Sequence, residues 1–261
     1  MLQTLRSPRP LLFALCSALL ASAVQADDVP DARKGPYKDL IEGEFVHQET
    51  PLAENGLPFW LFADRKLTTR GKRHPLIVIL HGRRNSAKPG DTFKVQSIAQ
   101  DWATKDAQRD NACFVIQPYY PPQGGWEKVP EKLDATLEHA FQHLPVDPER
   151  VYLFGFSNGG QGTFQSLARR PDWFAAAVTV SGPVSPKSVV GKIKAPVWMW
   201  VGENDNDLNK RQRIEELAKA LDDSGVDIKL DIVPGAGHNC FGKATRNEDV
   251  HDWLFDQRLE K

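Results

Sequence analysis

The sequence predicts an α/β fold in which helices cover both faces of one mostly parallel sheet, with no large lid. Apolar, strand-like runs alternate with helix-like segments through most of the chain, the order that such a fold requires. Residues 151–160 pass from an apolar run, through a serine between glycines, into a helix-like segment. Four further runs are almost entirely apolar, as strands buried on both faces of a parallel sheet are: residues 75–80, 113–117, 175–180 and 197–201.

The length and composition fit one globular domain. The chain has 261 residues, of which 41% are hydrophobic and 26% charged, so it can bury a sizeable core. Its sequence contains no linker-like, repeated or low-complexity segment, and we expect a single domain over residues 27–261. The formal net charge of -1 gives no reason to expect a nucleic acid or an anionic membrane as partner.

Residues 1–26 have the three parts of a secretory signal peptide. Arg6 and Arg9 precede an apolar run over residues 11–20, and small residues lead to Ala26. The apolar run is too short to span a bilayer core of about 30 Å, which argues against a stable membrane anchor. We therefore expect cleavage near Ala26 and export to the periplasm or the medium. Of the cysteines beyond this segment, Cys113 and Cys240 are expected at opposite ends of the strands, too far apart for a disulfide.

The remaining elements follow in order along the chain. Residues 44–48 and 58–63 read as a hairpin around the turn signal at 54–56. Helical spacing of apolar residues predicts four helices over residues 93–105, 130–143, 208–221 and 247–258. Residues 147–150 read as a turn and residues 228–233 as a strand. A helix over residues 161–169 is expected to stop before Pro171.

Ser157 is the strongest candidate for a catalytic group. It lies in the pattern G-x-S-x-G between Gly155 and Gly159, on a turn between strand and helix that exposes the hydroxyl above the sheet. A side chain at either glycine would collide with the neighbouring strand or helix as the backbone reverses. A serine hydroxyl is a weak nucleophile near neutral pH, so it needs a base, and the base needs a third group to orient it.

The base for Ser157 and the acid that orients this base are expected in loops that follow later strands. His238 follows the last predicted strand on a glycine-rich loop, where it can reach the serine; a solvated loop histidine is the alternative. The acid should follow the preceding strand, and both Asp205 and Asp207 do. Asp207 directly precedes a predicted helix and can serve as its N-cap, which favours Asp205 as the partner of His238.

Acyl transfer also needs donors for the oxygen that becomes negative. The backbone N–H of Asn158, next to the serine, is one candidate, and the N–H of Arg83, after the apolar run 75–80, is the other. The side chains of Arg83 and Arg84 could recognise an anionic group, although solvated surface arginines are the more common case.

Two further groups of residues have both a functional and a structural interpretation. Tyr119, Tyr120 and Trp126 lie in a loop beside the expected cleft and could bind substrate, but simple loop packing is equally compatible with them. His139 and His143 have the i, i+4 spacing of a metal-binding pair. No third ligand accompanies them, so we expect a solvated helix face and no metal or other cofactor.

Several of these motifs together resemble α/β-hydrolases of the dienelactone hydrolase, carboxylesterase and feruloyl or polyhydroxybutyrate esterase type. The resemblance rests on residues 80–82, 147–152, 155–160 and 237–238, and residues 251–257 resemble a bacterial group of that superfamily called peptidases. It implies an α/β-hydrolase fold with Ser157, Asp205 and His238 as catalytic residues, in the chain order of that fold. The sequence departs from the family pattern at Arg83 and Arg84, where small residues are usual, and at Cys240, where an aromatic residue is usual.

The sequence therefore predicts an exported serine hydrolase that cleaves carboxylic esters through an acyl-enzyme intermediate. Only residues 182–195 separate two core strands where relatives carry a lid, so an open cleft for small-molecule or polymer-attached esters is expected. A serine peptidase of the same fold is the alternative, and a non-catalytic binding protein is a weaker one. The sequence carries no signal for oligomeric state.

Overall fold

The computed structural model describes residues 29–83, 93–121, 124–205 and 209–259. Its centre is an eight-stranded sheet in the order β1-β2-β4-β3-β5-β6-β7-β8. The first two strands form an antiparallel hairpin that joins the sheet at β4, and all pairings from β4 through β3 to β8 are parallel. The strands are β1 (Phe45–Gln48), β2 (Phe59–Phe62), β3 (His74–Leu80), β4 (Phe114–Pro118), β5 (Val146–Phe156), β6 (Ala176–Val180), β7 (Val197–Gly202) and β8 (Ile228–Val233).

Helices lie on both faces of this sheet because its central strands are apolar on both sides. Side chains of a strand alternate between faces: Leu76, Val78 and Leu80 of β3 belong to one core cluster, and Ile77 and Ile79 belong to the other. The α-helices of the described residues are α1 (Ser97–Gln100), α2 (Lys105–Asp110), α3 (Pro130–His143), α4 (Asn158–Arg169), α5 (Pro186–Val189), α6 (Lys210–Asp222), α7 (Phe241–Thr245) and α8 (Glu248–Asp256).

The two core clusters assign the helices to the two faces. One cluster contains buried side chains of α3, α4 and α6, and the other contains buried side chains of α1, α7 and α8. The predicted α/β architecture, with helices on both faces of a mostly parallel sheet, is therefore confirmed. The connection from β6 to β7 is short and includes only the four-residue helix α5. It therefore contains no large lid, as predicted for this connection.

The predicted helix over residues 93–105 is wrong at its start and in its continuity. The carbonyl of Phe93 accepts a hydrogen bond from Trp60 Nε1 at 2.8 Å, and the N–H of Gln96 donates to Gln117 Oε1 at 3.0 Å. These bonds to other elements hold residues 93–96 outside the helix, which begins only at α1. Thr104 then adopts an extended conformation and caps α2, so the helical path is broken a second time.

The expected turn over residues 147–150 is also wrong, because this segment belongs to β5. The pairing of β5 with β3 shifts register between His74 and Leu76, where Val146 and Val151 are their partners. The extra residues form an irregularity in which Asp147 Oδ1 accepts the N–H of Glu149 at 3.1 Å. Polar turn-forming residues therefore mark a bulge here and do not end the strand.

Both cysteines of the described residues are buried and free. Burial raises the pKa of the Cys113 thiol to about 12. The predicted signal peptide lies outside the described residues. In the part of the chain that is described, no helix combines the length and the apolar character needed to cross a bilayer.

The turn at Ser157 is set by close backbone packing. Ser157 has φ +56°, an uncommon conformation for a residue with a side chain, and its N–H donates to the carbonyl of Val180 at 2.8 Å. A Cβ at Gly159 would overlap the carbonyl of Leu80, and one at Gly155 would overlap the carbonyl of Gly159. The steric requirement predicted for both glycines is thus confirmed, and α4 starts directly against the end of β3.

An ion-pair cluster joins α3 to α4. Asp134 is 6% exposed, and its Oδ2 lies 2.6 Å from Arg169 Nη2 and 2.7 Å from Arg170 Nη2. Glu131 reaches the same Arg169 at 3.0 Å, but its side chain is 79% exposed. An exposed ion pair contributes little to the free energy of unfolding, whereas the loss of a buried charge from an ion pair is costly. Asp134 should therefore contribute most of the stability that this cluster provides.

We expect Asp134→Ala to lower the free energy of unfolding by about 1–3 kcal/mol, since it leaves two arginines without their shared buried carboxylate. Glu131→Ala is the matched control and should cause no measurable loss. Urea denaturation of both variants checks the expectation. Equal losses in the two variants would contradict it.

We expect Gly159→Ala to destabilise the protein by about 3 kcal/mol or more, or to prevent folding, because the new methyl group has no space beside Leu80. Gly35→Ala is the control, since a Cβ there has nothing within 4 Å and needs no positive φ. Thermal unfolding of purified protein and soluble yield report the difference. A Gly159→Ala protein as stable as the control would show that the strand end and the helix can separate without cost.

Candidate active site

Ser157, His238 and Asp205 meet at the carboxyl ends of three parallel strands. Ser157 follows β5, Asp205 follows β7, and His238 follows β8. His238 Nε2 lies 2.9 Å from Ser157 Oγ, and His238 Nδ1 lies 2.9 Å from Asp205 Oδ2. The imidazole therefore connects the hydroxyl with the carboxylate by one hydrogen bond at each ring nitrogen.

The carboxylate of Asp205 and the imidazole of His238 differ strongly in burial. The side chain of Asp205 is 1% exposed, whereas that of His238 is 32% exposed. A buried carboxylate beside Nδ1 favours the tautomer that carries its proton on Nδ1 and leaves Nε2 as the acceptor facing Ser157. This arrangement can take a proton from the hydroxyl and stabilise the resulting imidazolium.

The loops that carry the acid and the imidazole are fixed to each other through their backbones. The N–H of Asn204 donates to the carbonyl of Ala236 at 2.8 Å, and the N–H of Gly235 donates to Glu203 Oε2 at 2.8 Å. A Cβ at Gly202 would overlap the carbonyl of Gly237. The last residue of β7 must therefore be a glycine for the histidine loop to pass this close.

Two supporting residues of this region were not singled out from the sequence. The ring of Phe156 lies 5.1 Å from the imidazole of His238, centre to centre, and thus limits its rotation. Glu203 holds the histidine loop through Gly235. Phe156 is the variable residue directly before the serine in the motif, and this position was the available signal.

The backbone N–H of Asn158, proposed as one oxyanion donor, belongs to the residue directly after the serine. Asn158 is the first residue of α4, where helical N–H groups have no partner within the helix and the helix dipole is positive. Gly82 lies against Phe156, since a Cβ on Gly82 would be 3.2 Å from the Phe156 ring. Arg83 follows Gly82 and is exposed, and its N–H as the second oxyanion donor stays a prediction.

The interpretation of the aromatic loop residues as a substrate surface needs correction. Tyr120 is 0% exposed and Trp126 is 2% exposed. Trp126 Nε1 donates to the carbonyl of His81 at 2.9 Å, and the Tyr120 hydroxyl donates to Asn158 Oδ1 at 3.0 Å. Tyr119 is 9% exposed, and its hydroxyl lies 2.8 Å from His47 Nε2. Tyr120 and Trp126 thus pack beneath the site against Asn158 and His81, and Tyr119 packs against His47 of β1 and Phe93.

Of the remaining predicted residues, two lie outside the described part of the chain. Asp207 and Arg84 are outside the described residues, and Arg83 is exposed. His139 and His143 lie with ring centres 4.4 Å apart, and His139 Nδ1 is 3.2 Å from the Tyr37 hydroxyl, so this helix face is partly covered. Within the described ranges, no group of three His, Cys, Asp or Glu side chains could hold a metal ion.

Cys240 lies behind the acid. It is 3% exposed, and its Sγ is 3.9 Å from Ser181 Oγ. Burial is the main cause that raises the pKa of this thiol, and the charge of Asp205 adds to it. The thiol thus fills space behind the carboxylate in its neutral form.

Comparison with known proteins gives one relative named as an esterase and another named as an acylamino-acid-releasing enzyme. The chain is 29% identical over 200 residues to "Putative esterase NocK" of Nocardia uniformis subsp. tsuyamanensis, covering 70% of this chain and 54% of that protein. It is 26% identical over 171 residues to "Acylamino-acid-releasing enzyme" of Arabidopsis thaliana, covering 63% of this chain and 22% of that protein. The chain thus spans about half the length of the first relative and less of the second.

A crystal structure of a thermostable esterase has the same fold, with a TM-score of 0.72 and 24% identity over 84% of this chain and 64% of that one. The family model described as "Dienelactone hydrolase family" matches residues 104–252, more than half of the chain and a segment that includes all three side chains of the hydrogen-bonded series. The chain belongs to the dienelactone hydrolase family.

Proposed function

We propose that the protein is a serine hydrolase that cleaves carboxylic esters through an acyl-enzyme intermediate. The observation that carries the proposal is the pair of 2.9 Å contacts that connect Asp205, His238 and Ser157. A hydroxyl, an imidazole and a buried carboxylate in this order form the arrangement that activates serine for attack on an acyl carbon. Membership of the dienelactone hydrolase family supports hydrolytic chemistry.

The reaction divides into acylation and deacylation. Ser157 Oγ attacks the carbonyl carbon of the ester while His238 Nε2 takes its proton, and Asp205 stabilises the imidazolium. The tetrahedral intermediate collapses when His238 returns that proton to the departing alcohol, leaving an acyl group on Ser157. A water molecule then loses a proton to His238 and attacks the acyl carbon, and His238 passes that proton to Ser157 Oγ as the bond to the acyl group breaks and the acid leaves.

Negative charge on the former carbonyl oxygen needs donors in both steps. The backbone N–H groups of Asn158, directly after the serine, and of Arg83, after the end of β3, are proposed for this role. The positive end of the α4 dipole lies at Asn158 and favours the same charge. Loss of one such donor costs on the order of 10²–10³ in rate in other enzymes.

The short connection between β6 and β7 supports small-molecule or polymer-attached esters as substrates. Residues 181–196 hold only the four-residue helix α5, so nothing in this connection can cover the serine. The signal-like residues 1–26 support action outside the cytoplasm, where polymer-attached esters are accessible.

Peptide cleavage by the same residues is the second candidate function. It is favoured by the similarity to a protein named for releasing acylated amino acids. Esters have the better leaving group, and the relative that covers the larger part of this chain carries an esterase name. The two functions differ in the bond attacked and not in the proposed catalytic residues.

We expect the protein to hydrolyse short-chain p-nitrophenyl esters at least 100-fold more efficiently, in kcat/KM, than N-acetylalanine p-nitroanilide. Ser157→Ala should abolish both activities and labelling by a fluorophosphonate probe. An ester panel with the anilide alongside measures the ratio. A higher kcat/KM on the anilide would establish the peptidase, and a protein that neither turns over substrates nor takes up the probe would refute serine catalysis.

We expect Asp205→Asn to lower kcat on the order of 10³–10⁴-fold, since an amide can stabilise neither the imidazolium nor its correct tautomer. Asp231→Asn is the matched control. Asp231 lies in β8, away from the serine, and its carboxylate accepts a hydrogen bond from Trp198 Nε1 of β7 at 2.8 Å. It should keep kcat within about twofold of the wild type. Steady-state kinetics on p-nitrophenyl butyrate separate the two; wild-type turnover by Asp205→Asn would rule Asp205 out as the acid.

A further inference from the structure

We infer that the hydroxyl of Tyr120 is a positioning group that holds both oxyanion donors in register, an inference that rests on the proposed function. The hydroxyl lies between two groups attached to the candidate donors. It is 3.0 Å from Asn158 Oδ1 and 3.4 Å from the carbonyl oxygen of Gly82. Asn158 supplies one proposed donor, and the peptide that begins at Gly82 supplies the other.

The contact with Gly82 bears directly on the direction of the second donor. The carbonyl of Gly82 and the N–H of Arg83 belong to one trans peptide, and in a trans peptide these two groups point in opposite directions. Two groups lie on the carbonyl side: His81 Nδ1 at 2.6 Å and the Tyr120 hydroxyl at 3.4 Å. The Tyr120 hydroxyl has one proton, which it shares between Asn158 Oδ1 and the more distant Gly82 oxygen. Together with His81 Nδ1 it draws this carbonyl oxygen towards the interior, which turns the N–H of Arg83 outward.

The contact with Asn158 fixes the first donor in a similar manner. The side chain of Asn158 is 4% exposed, and its Nδ2 donates to Gln161 Oε1 at 3.0 Å. Its Oδ1 accepts from the Tyr120 hydroxyl and, at 3.4 Å, from the N–H of Trp126. An amide bonded at both of its ends cannot rotate freely, so the backbone of Asn158 is held at the start of α4.

Neighbouring contacts make the support rigid. Trp126 Nε1 donates to the carbonyl of His81, one peptide before Gly82, and the Trp126 ring packs against Gly162 of α4. The rings of Tyr120 and Trp126 meet edge to face with centres 5.0 Å apart. Among these groups Tyr120 is the one whose single polar atom contacts the supports of both donors. Sub-ångström displacement of such donors is enough to weaken transition-state stabilisation.

The test uses Tyr120→Phe, which removes the hydroxyl and keeps the buried ring. Tyr152→Phe is the matched control: its hydroxyl is also part-buried and donates to the carbonyl of Gln257 at 2.9 Å, and it lies five residues before Ser157, about 17 Å along the strand. Kinetics are measured with p-nitrophenyl butyrate. Inhibition is measured with 1,1,1-trifluoro-2-pentanone, which forms a hemiketal with Ser157 and places a negative oxygen between the donors.

We expect Tyr120→Phe to lower kcat about tenfold, with KM within about twofold, and to raise the Ki of the ketone by about the same tenfold factor. Tyr152→Phe should leave all three constants within about twofold of the wild type. A loss of stability alone would not change kcat and Ki together, so this correlation separates positioning from folding. Thermal unfolding of both variants is recorded for the same samples.

Three results would overturn the inference: an unchanged kcat in Tyr120→Phe, an increase of KM alone, or a fall in kcat without a change in Ki. If Tyr120→Phe does not fold, Asn158→Ala removes the other partner of the same bond and must show the same paired change in kcat and Ki. Wild-type turnover that is lost in Ser157→Ala tests the proposed function by itself. Normal wild-type turnover with an unaffected Tyr120→Phe would therefore reject only the role of Tyr120.

Discussion

The close approach of α4 to the end of β3 is the constraint on which the rest of the site depends. Gly159 lies so near the carbonyl of Leu80 that no side chain fits between them. This contact forces the backbone to reverse at Ser157, whose φ of +56° would be unfavourable without such support. The reversed turn raises the hydroxyl above the sheet and directs the N-terminus of α4 towards it. A local steric condition thus sets both the position of the proposed nucleophile and the electrostatics around it.

The sheet supplies the remaining precision by parallel pairing. β5, β7 and β8 end on the same edge, and the loops that follow them bring together residues separated by up to 81 positions in the chain. The acid and histidine loops are joined by a backbone–backbone hydrogen bond, which fixes the one loop relative to the other. Rigid strands with short loops explain how side chains so distant in the chain come within two hydrogen bonds of 2.9 Å.

The sequence identifies features whose cause is local and misses those whose cause is distant. α3 was predicted with the bounds observed, because Pro130 starts it and the spacing of its apolar residues is regular. The turn at Ser157 was predicted because its glycines and flanking runs adjoin it. The helix predicted from Phe93 failed because Trp60 and Gln117, on two other strands, hold that segment extended. No spacing rule contains that information.

The same distinction applies to the site. The order of strands was sufficient to bring Ser157, Asp205 and His238 forward as candidates. The direction of Tyr120 and Trp126 depends on Asn158, which is more than 30 positions away, so the sequence left substrate contact and packing open for them.

The burial of Cys113 has a separate consequence for durability in air. Burial raises the pKa of this thiol and keeps it from solvent, and oxidants react with the accessible, ionised form. Preparations of this protein should therefore tolerate storage without added reductant as far as Cys113 is concerned.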